Sequence, residues 1–166
     1  MDKLEHVRVV VNIEGKMNKL QKVAEISLPS KYDLVKEISW LSTAHQSTVM
    51  QFSDAAEEIF VDEGDVIIRE GESGNNLFLI ARGIARIKCK NQISGEDEHI
   101  TDIGVGQLIG EMAFLTRRKR EASVIAASRG VVFAFKGDRI QEIVEREKRI
   151  EDKLWESAGW RMGENM

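Results

Sequence analysis

Residues Gly110 to Val124 read "GEMAFLTRRKREASV". A glutamate directly follows the glycine, four basic residues run from Arg117 to Arg120, and the small pair Ala122 and Ser123 comes after Glu121. Met112, Ala113, Phe114 and Leu115 crowd the same stretch too densely for a solvated loop, and their spacing predicts one helical turn over 111–115. A small phosphodiester needs groups of this kind. N–H groups at the start of a helical turn are unsatisfied donors carrying partial positive charge. A glycine lets the anion approach the main chain, a guanidinium grips two phosphate oxygens at once, and a hydroxyl adds a further donor. Gly110, Arg120 and Ser123 are residues of these types. Glu111 suits no bare anion, but its carboxylate can accept from a neutral hydroxyl such as a ribose 2′-OH. A nucleotide phosphate with its ribose attached accounts for every group; inorganic phosphate leaves Glu111 unexplained.

Composition narrows the alternatives. The 166 residues fit one domain with an appendage, or one domain of generous size. With 42% hydrophobic and 31% charged residues the chain can bury a core. The balance of 24 basic against 28 acidic residues, net charge −4, argues against a nucleic-acid partner. A single cysteine, Cys89, excludes an internal disulfide and suits a reducing, cytoplasmic compartment. No apolar run reaches the length of a membrane span, so direct membrane insertion is not expected. Met1-Asp2-Lys3 begins like a cytosolic chain or an excised piece of one, without a secretory signal. His6, His45 and His99 are scattered and share no metal-ligand spacing with each other or with Cys89, against a cupin-like metal site. No nucleophile–base arrangement is visible either. Catalysis, a metal and a cofactor are therefore not expected.

Outward from the opening stretch, residues 57–136 are short β-branched runs: "EEIFV", "DVIIRE", "NLFLIA", "GIARIKC", "EHITDI", "ASVIAA" and "GVVFAF". Glycine-bearing turns separate them, which predicts an all-β sandwich or barrel. Before it, Asp33–Ile38 and Thr48–Phe52 space apolar residues as helices do, with Ser30 as N-cap of the first. "RVVVNI" (8–13) reads as a strand, or as a helix face with Leu4, Val7 and Val11, and Gly15 interrupts either. After it, Ile140, Ile143, Val144, Ile150, Leu154 and Trp155 mark a helical stripe with Asp138 as N-cap. The stripe slips after Val144, which predicts two helices or one bent near Glu147-Lys148.

"GEMAFLTRRKREASV" resembles the phosphate-binding cassette of cyclic nucleotide-binding domains, and "LTR", a basic run and "ASV" most resemble the hyperpolarization-activated and cyclic nucleotide-gated channel branch. "EGDVIIREGESGNNLFLIARGIARI" is similar to that family's first strands, with turn glycines at Gly64, Gly71, Gly74 and Gly83. The resemblance covers roughly residues 34–162. It implies a mostly β fold, an antiparallel β-roll of jelly-roll type with flanking helices. The expected division is a partly helical linker (1–33), N-terminal helices (34–56), a β-roll (57–136) holding the cassette (109–124), C-terminal lid helices (138–162) and a tail (163–166). It also implies roles. Arg120 pairs with the cyclic phosphate, helped by Ser123 and by the main-chain N–H groups of Gly110, Met112 and Ala122. Glu111 receives the ribose 2′-OH. Ile87, Thr101 and Ile103 line the base pocket, and Trp160, Arg161 and Met162 close over the base as a lid.

Three positions depart from the pattern. Ile109 stands where phenylalanine is common, and Phe114 is bulkier than the usual leucine. Glu121 occupies the place beside the arginine where the family has alanine or threonine, and threonine there favours cGMP. A carboxylate at this place either repels the phosphate or reaches toward a base amino group. The expected regulatory ligand is cAMP, with cGMP weaker. The expected setting is the cytosolic part of a plasma-membrane protein, a cyclic nucleotide-regulated channel or a sodium/proton exchanger, with "EGD" and the N-terminal segment leaning toward the exchanger. Its expected partners are the nucleotide, the rest of that transport protein and, through it, further copies of the chain. A receptor of the bacterial transcription-factor type would need a helix-turn-helix after Met162, where too little chain remains. The competing reading is a nucleotide-free domain of the same fold serving as an assembly module.

Overall fold

The computed structural model describes residues 30–164, and their side chains as far as Ala158. The reading of "RVVVNI" lies outside the described residues. Among the described residues eight strands make two four-stranded antiparallel sheets. The first has the order β1 (Glu57–Val61), β8 (Gly130–Phe135), β3 (Leu77–Arg82), β6 (Leu108–Ile109). The second has the order β2 (Val66–Ile68), β7 (Ser123–Ala126), β4 (Ala85–Lys90), β5 (Asp97–Ile103). This interleaving of strands across two sheets is a jelly roll. Among the described residues these strands are accompanied by five α-helices, α1 (Lys31–Lys36), α2 (Gln46–Ala55), α3 (Glu111–Thr116), α4 (Gly137–Arg146) and α5 (Lys148–Glu164), and by a 3-10 turn at Ser39–Leu41.

The first sheet is covered on both faces, which is why "LFLIA" and "GVVFAF" read as continuous apolar runs. Leu77, Leu79, Ala81, Val131, Phe133 and Phe135 pack with the helices, while Ile80 and Val132 point the other way. There they meet Ile68, Ala85, Ile103, Ile109 and Val124 inside the roll. Trp40 meets Phe52 of α2 edge-on at 5.3 Å, and Phe52 meets Phe135 of β8 at 6.5 Å, a run of aromatics from helix to sheet. The glycine turns work by left-handed backbone. At Gly83 (φ 89°) a Cβ would stand 2.6 Å from the Arg129 carbonyl, so only glycine fits between β3 and β4.

Three expectations need correction, at Asp138, Trp155 and Gly74, and one strand has no counterpart in the sequence reading. Asp138 is not the N-cap of its helix: Lys136 holds that place and α4 opens at Gly137. Asp138 sits in the first turn, where the helix dipole favours a carboxylate, and accepts from Asn75 Nδ2 at 3.0 Å. Trp155 leaves the apolar stripe and is 46% exposed; Ala158, together with Ile150 and Leu154, covers the core from α5. Leu108–Ile109, two residues between turns, pairs with β3 as a strand too short to read by alternation. Gly74 has no positive φ; its missing side chain leaves space beside the Arg120 guanidinium. The expected break in the C-terminal helices falls at Glu147 (φ −134°, ψ 87°), between α4 and α5.

Candidate functional site

Of the four consecutive basic residues, Arg117, Arg118 and Lys119 are exposed and Arg120 alone is buried. The main chain fixes it there. Arg120 N–H donates to the Glu72 carbonyl at 2.9 Å, and Gly71 N–H donates to the Arg120 carbonyl at 2.8 Å, which clips residue 120 to the loop between β2 and β3. The guanidinium then reaches back. Nη2 donates to the Asn76 carbonyl at 2.8 Å and Nη1 to the Gly110 carbonyl at 3.4 Å. Among the described residues no carboxylate lies within ion-pair distance of it. Burial lowers the pKa of this guanidinium below its ordinary value, the mark of a cation short of water.

Gly110 turns the chain with φ 97° and starts α3, and its carbonyl accepts from Phe114 N–H at 3.1 Å. A Cβ at Gly110 would lie 2.7 Å from the Asn76 carbonyl and 2.8 Å from Arg120 Nη1, so the bare main chain is what lets the guanidinium in. Glu111 and Met112 follow in the first turn of α3, whose N–H groups have no intrahelical acceptor. Glu111 is buried; Met112 is half-buried. Ser123 Oγ accepts from Glu70 N–H at 2.9 Å, which leaves its own proton to be donated elsewhere. Ala122 is half-buried beside it and Glu121 is exposed.

A cleft of about 360 Å³ opens beside Arg120, walled by Ile67 and Ile68 of β2, Phe78 of β3 and the loop from Glu72 to Asn76. Gly110, Glu111 and Ser123 are not part of this wall, nor are the residues expected around a base. Of the latter, Ile87 packs against the inner cluster of the roll and Ile103 is buried within it. Thr101 stands opposite Ile87 in register, but its side chain is exposed. Trp160, Arg161 and Met162 fall within α5, and their side chains lie outside the described residues.

The residues to which the sequence assigned no role in the site are those of the β2–β3 loop, where Gly71 and Gly74 figured only as turn glycines. Glu70 orients Ser123, Glu72 and Gly71 clip Arg120, and Asn76 holds its guanidinium. The available signal was two adjacent amides, Asn75-Asn76, after the glycines of "GESG".

A family model described as "Cyclic nucleotide-binding domain" matches residues 58–147. A cGMP-dependent protein kinase of Drosophila melanogaster, isozyme 2, is 31% identical over 58% of this chain, which spans 10% of the kinase. A protein of Rhodopseudomonas palustris named for a potassium channel is 28% identical over 77% of this chain, which spans 30% of that protein. Among solved structures, the regulatory subunit of a cAMP-independent protein kinase A from Trypanosoma brucei superposes with a TM-score of 0.67 at 25% identity. That match covers 76% of this chain and 45% of the other.

Proposed function

We propose, from the premise that this chain belongs to the cyclic nucleotide-binding domain family, that it senses cAMP in preference to cGMP and regulates a membrane ion transport protein. Cyclic nucleotide binding in a regulatory domain is the property of the family; the base, the target and the motion are the proposal. One observation carries the phosphate site. Arg120 is a buried cation satisfied by two carbonyls and by no carboxylate among the described residues. A buried charge without a counter-charge is costly, and an anionic ligand supplies one. Among the described residues two of the five N–H donors of the guanidinium are engaged, and the others are offered to phosphate oxygens. Ser123 donates its hydroxyl proton and Gly110, Met112 and Ala122 their main-chain N–H groups, while Glu111 accepts from the ribose 2′-OH.

In this reading Ile87, Thr101 and Ile103 contact the base from the roll, and Trp160, Arg161 and Met162 close over it as a lid. A ligand touching both the cassette and α5 binds the closed arrangement better and shifts the population toward it. The choice of cAMP rests on Glu121 in place of the threonine associated with cGMP. The transport target is supported by the channel-like cassette and by similarity to the Rhodopseudomonas palustris protein. Among the described residues no helix is long and apolar enough to cross a membrane. Titration calorimetry with cAMP and with cGMP in parallel tests this reading. Saturable heat with the tighter constant for cAMP is expected, and tighter cGMP would overturn the base assignment.

A second reading has a specific observation behind it. Glu121 places an exposed carboxylate beside the anion site, and a solved relative of this fold is named cAMP-independent. If neither nucleotide gives heat, the domain is an assembly module of the same fold.

A further inference from the structure

We propose that Asn76 is the residue that positions the Arg120 guanidinium and couples it to α4, a role that rests on the cyclic nucleotide reading above. Asn76 makes both halves of the link. Its main-chain oxygen accepts from Arg120 Nη2 at 2.8 Å, and its side-chain Oδ1 accepts from Gly137 N–H at 3.1 Å. A main-chain N–H can only donate, which fixes the orientation of the Asn76 amide. Asn75, next in the loop, donates from Nδ2 to Asp138 Oδ1 at 3.0 Å, a second bond to the first turn of α4.

The joint is close-packed. Gly137 is buried, and the side chain of Asn75 leaves no room for a Cβ there. Gly110 is equally confined by the Asn76 carbonyl and by Arg120 Nη1. Loop, guanidinium and helix start are therefore in close contact at both glycines. Phosphate gathered by the free N–H groups of Arg120 draws the guanidinium toward it. The Asn76 carbonyl then follows or is released, and in either case Gly137 feels the change. At the far end of α4, Glu147 accepts from Thr48 Oγ1 at 2.7 Å and from His45 N–H at 3.3 Å. Displacement of α4 is thereby felt at the start of α2.

Residue-resolved hydrogen exchange on the whole chain tests the coupling, first without ligand. Asn76→Ala keeps the main-chain oxygen and deletes only the bond to Gly137, so Gly137 exchange should quicken about fivefold, the worth of one neutral hydrogen bond. Asn76→Asp, which keeps an acceptor, should restore it. Arg120→Gln should quicken the same amide by a similar factor although it touches no atom of α4. If Arg120→Gln leaves Gly137 exchange at the wild-type rate while Asn76→Ala quickens it, the coupling is overturned. With cAMP added, Asn76→Ala should bind within about fivefold of wild type yet lose the ligand-induced change in α4; keeping both overturns the proposal. A wild-type chain that binds no cyclic nucleotide overturns the reading of the site instead, and the ligand-free comparison still decides the link.

Discussion

The Thr48 hydroxyl donates to the Glu147 carboxylate across 2.7 Å, joining the first turn of α2 to the break between α4 and α5. The same carboxylate accepts from His45 N–H, one of the donors that the helix start leaves unpaired. No side chain of His45 itself caps α2, so Glu147 takes over that task from a hundred residues away in sequence.

Glu147→Ala is therefore expected to destabilise the domain by about 1.5–3 kcal/mol, the range for hydrogen bonds to a charged group. Thermal unfolding followed by circular dichroism reads this directly. Glu147→Gln, which keeps an acceptor, should recover part of the loss.

Gly110→Ala should be worse than its size suggests. The position combines φ 97° with a Cβ that would press on the Asn76 carbonyl and on Arg120. Backbone strain alone costs on the order of 1–3 kcal/mol, and relief of the contact displaces the guanidinium. A lower melting temperature together with loss of nucleotide affinity is the expected pair of results. An unaltered affinity in a folded variant would remove Gly110 from the site.

Phe135→Ala should cost about 3–5 kcal/mol, as large core truncations do. The side chain is 1% exposed and joins β8 to the aromatic run through Phe52 to Trp40. Urea unfolding should show a lower midpoint with the m-value retained.

Cys89 offers a pH-dependent readout next to Glu121. Burial pushes its thiol pKa up, and the neighbouring Glu70 carboxylate pushes it further in the same direction. A raised pKa means less thiolate at any given pH below it, so alkylation by iodoacetamide at pH 8 should be slower than that of an unstructured cysteine. The rate should climb with pH beyond the point where the free thiol has levelled off. Faster alkylation at pH 8 would contradict the environment described for Cys89.

Much of the roll was legible because its residues obey one rule at a time. Seven strands announce themselves as β-branched runs between glycine turns, and the resemblance to a phosphate-binding cassette singles out Arg120 from its basic neighbours. The eighth strand, Leu108–Ile109, is too short to carry a period. Trp155 and Asp138 were misplaced for a shared reason: helix pattern and capping preference are local, whereas the packing of Asn75 onto Gly137 and of Ala158 into the core is set by distant chain. The same limit hid Asn76. Its contribution to the site is a main-chain carbonyl, and no residue type marks where a carbonyl will point.

The measurement that bears most directly on the site is calorimetric titration of cAMP into the wild-type chain and into Arg120→Ala, with folding of both checked by circular dichroism. Losing a charged contact to phosphate costs about 1.5–3 kcal/mol, so affinity should fall by roughly tenfold to a hundredfold or more. Equal affinity in the two folded proteins, or no binding by the wild type, would contradict Arg120 as the anchor of a cyclic nucleotide.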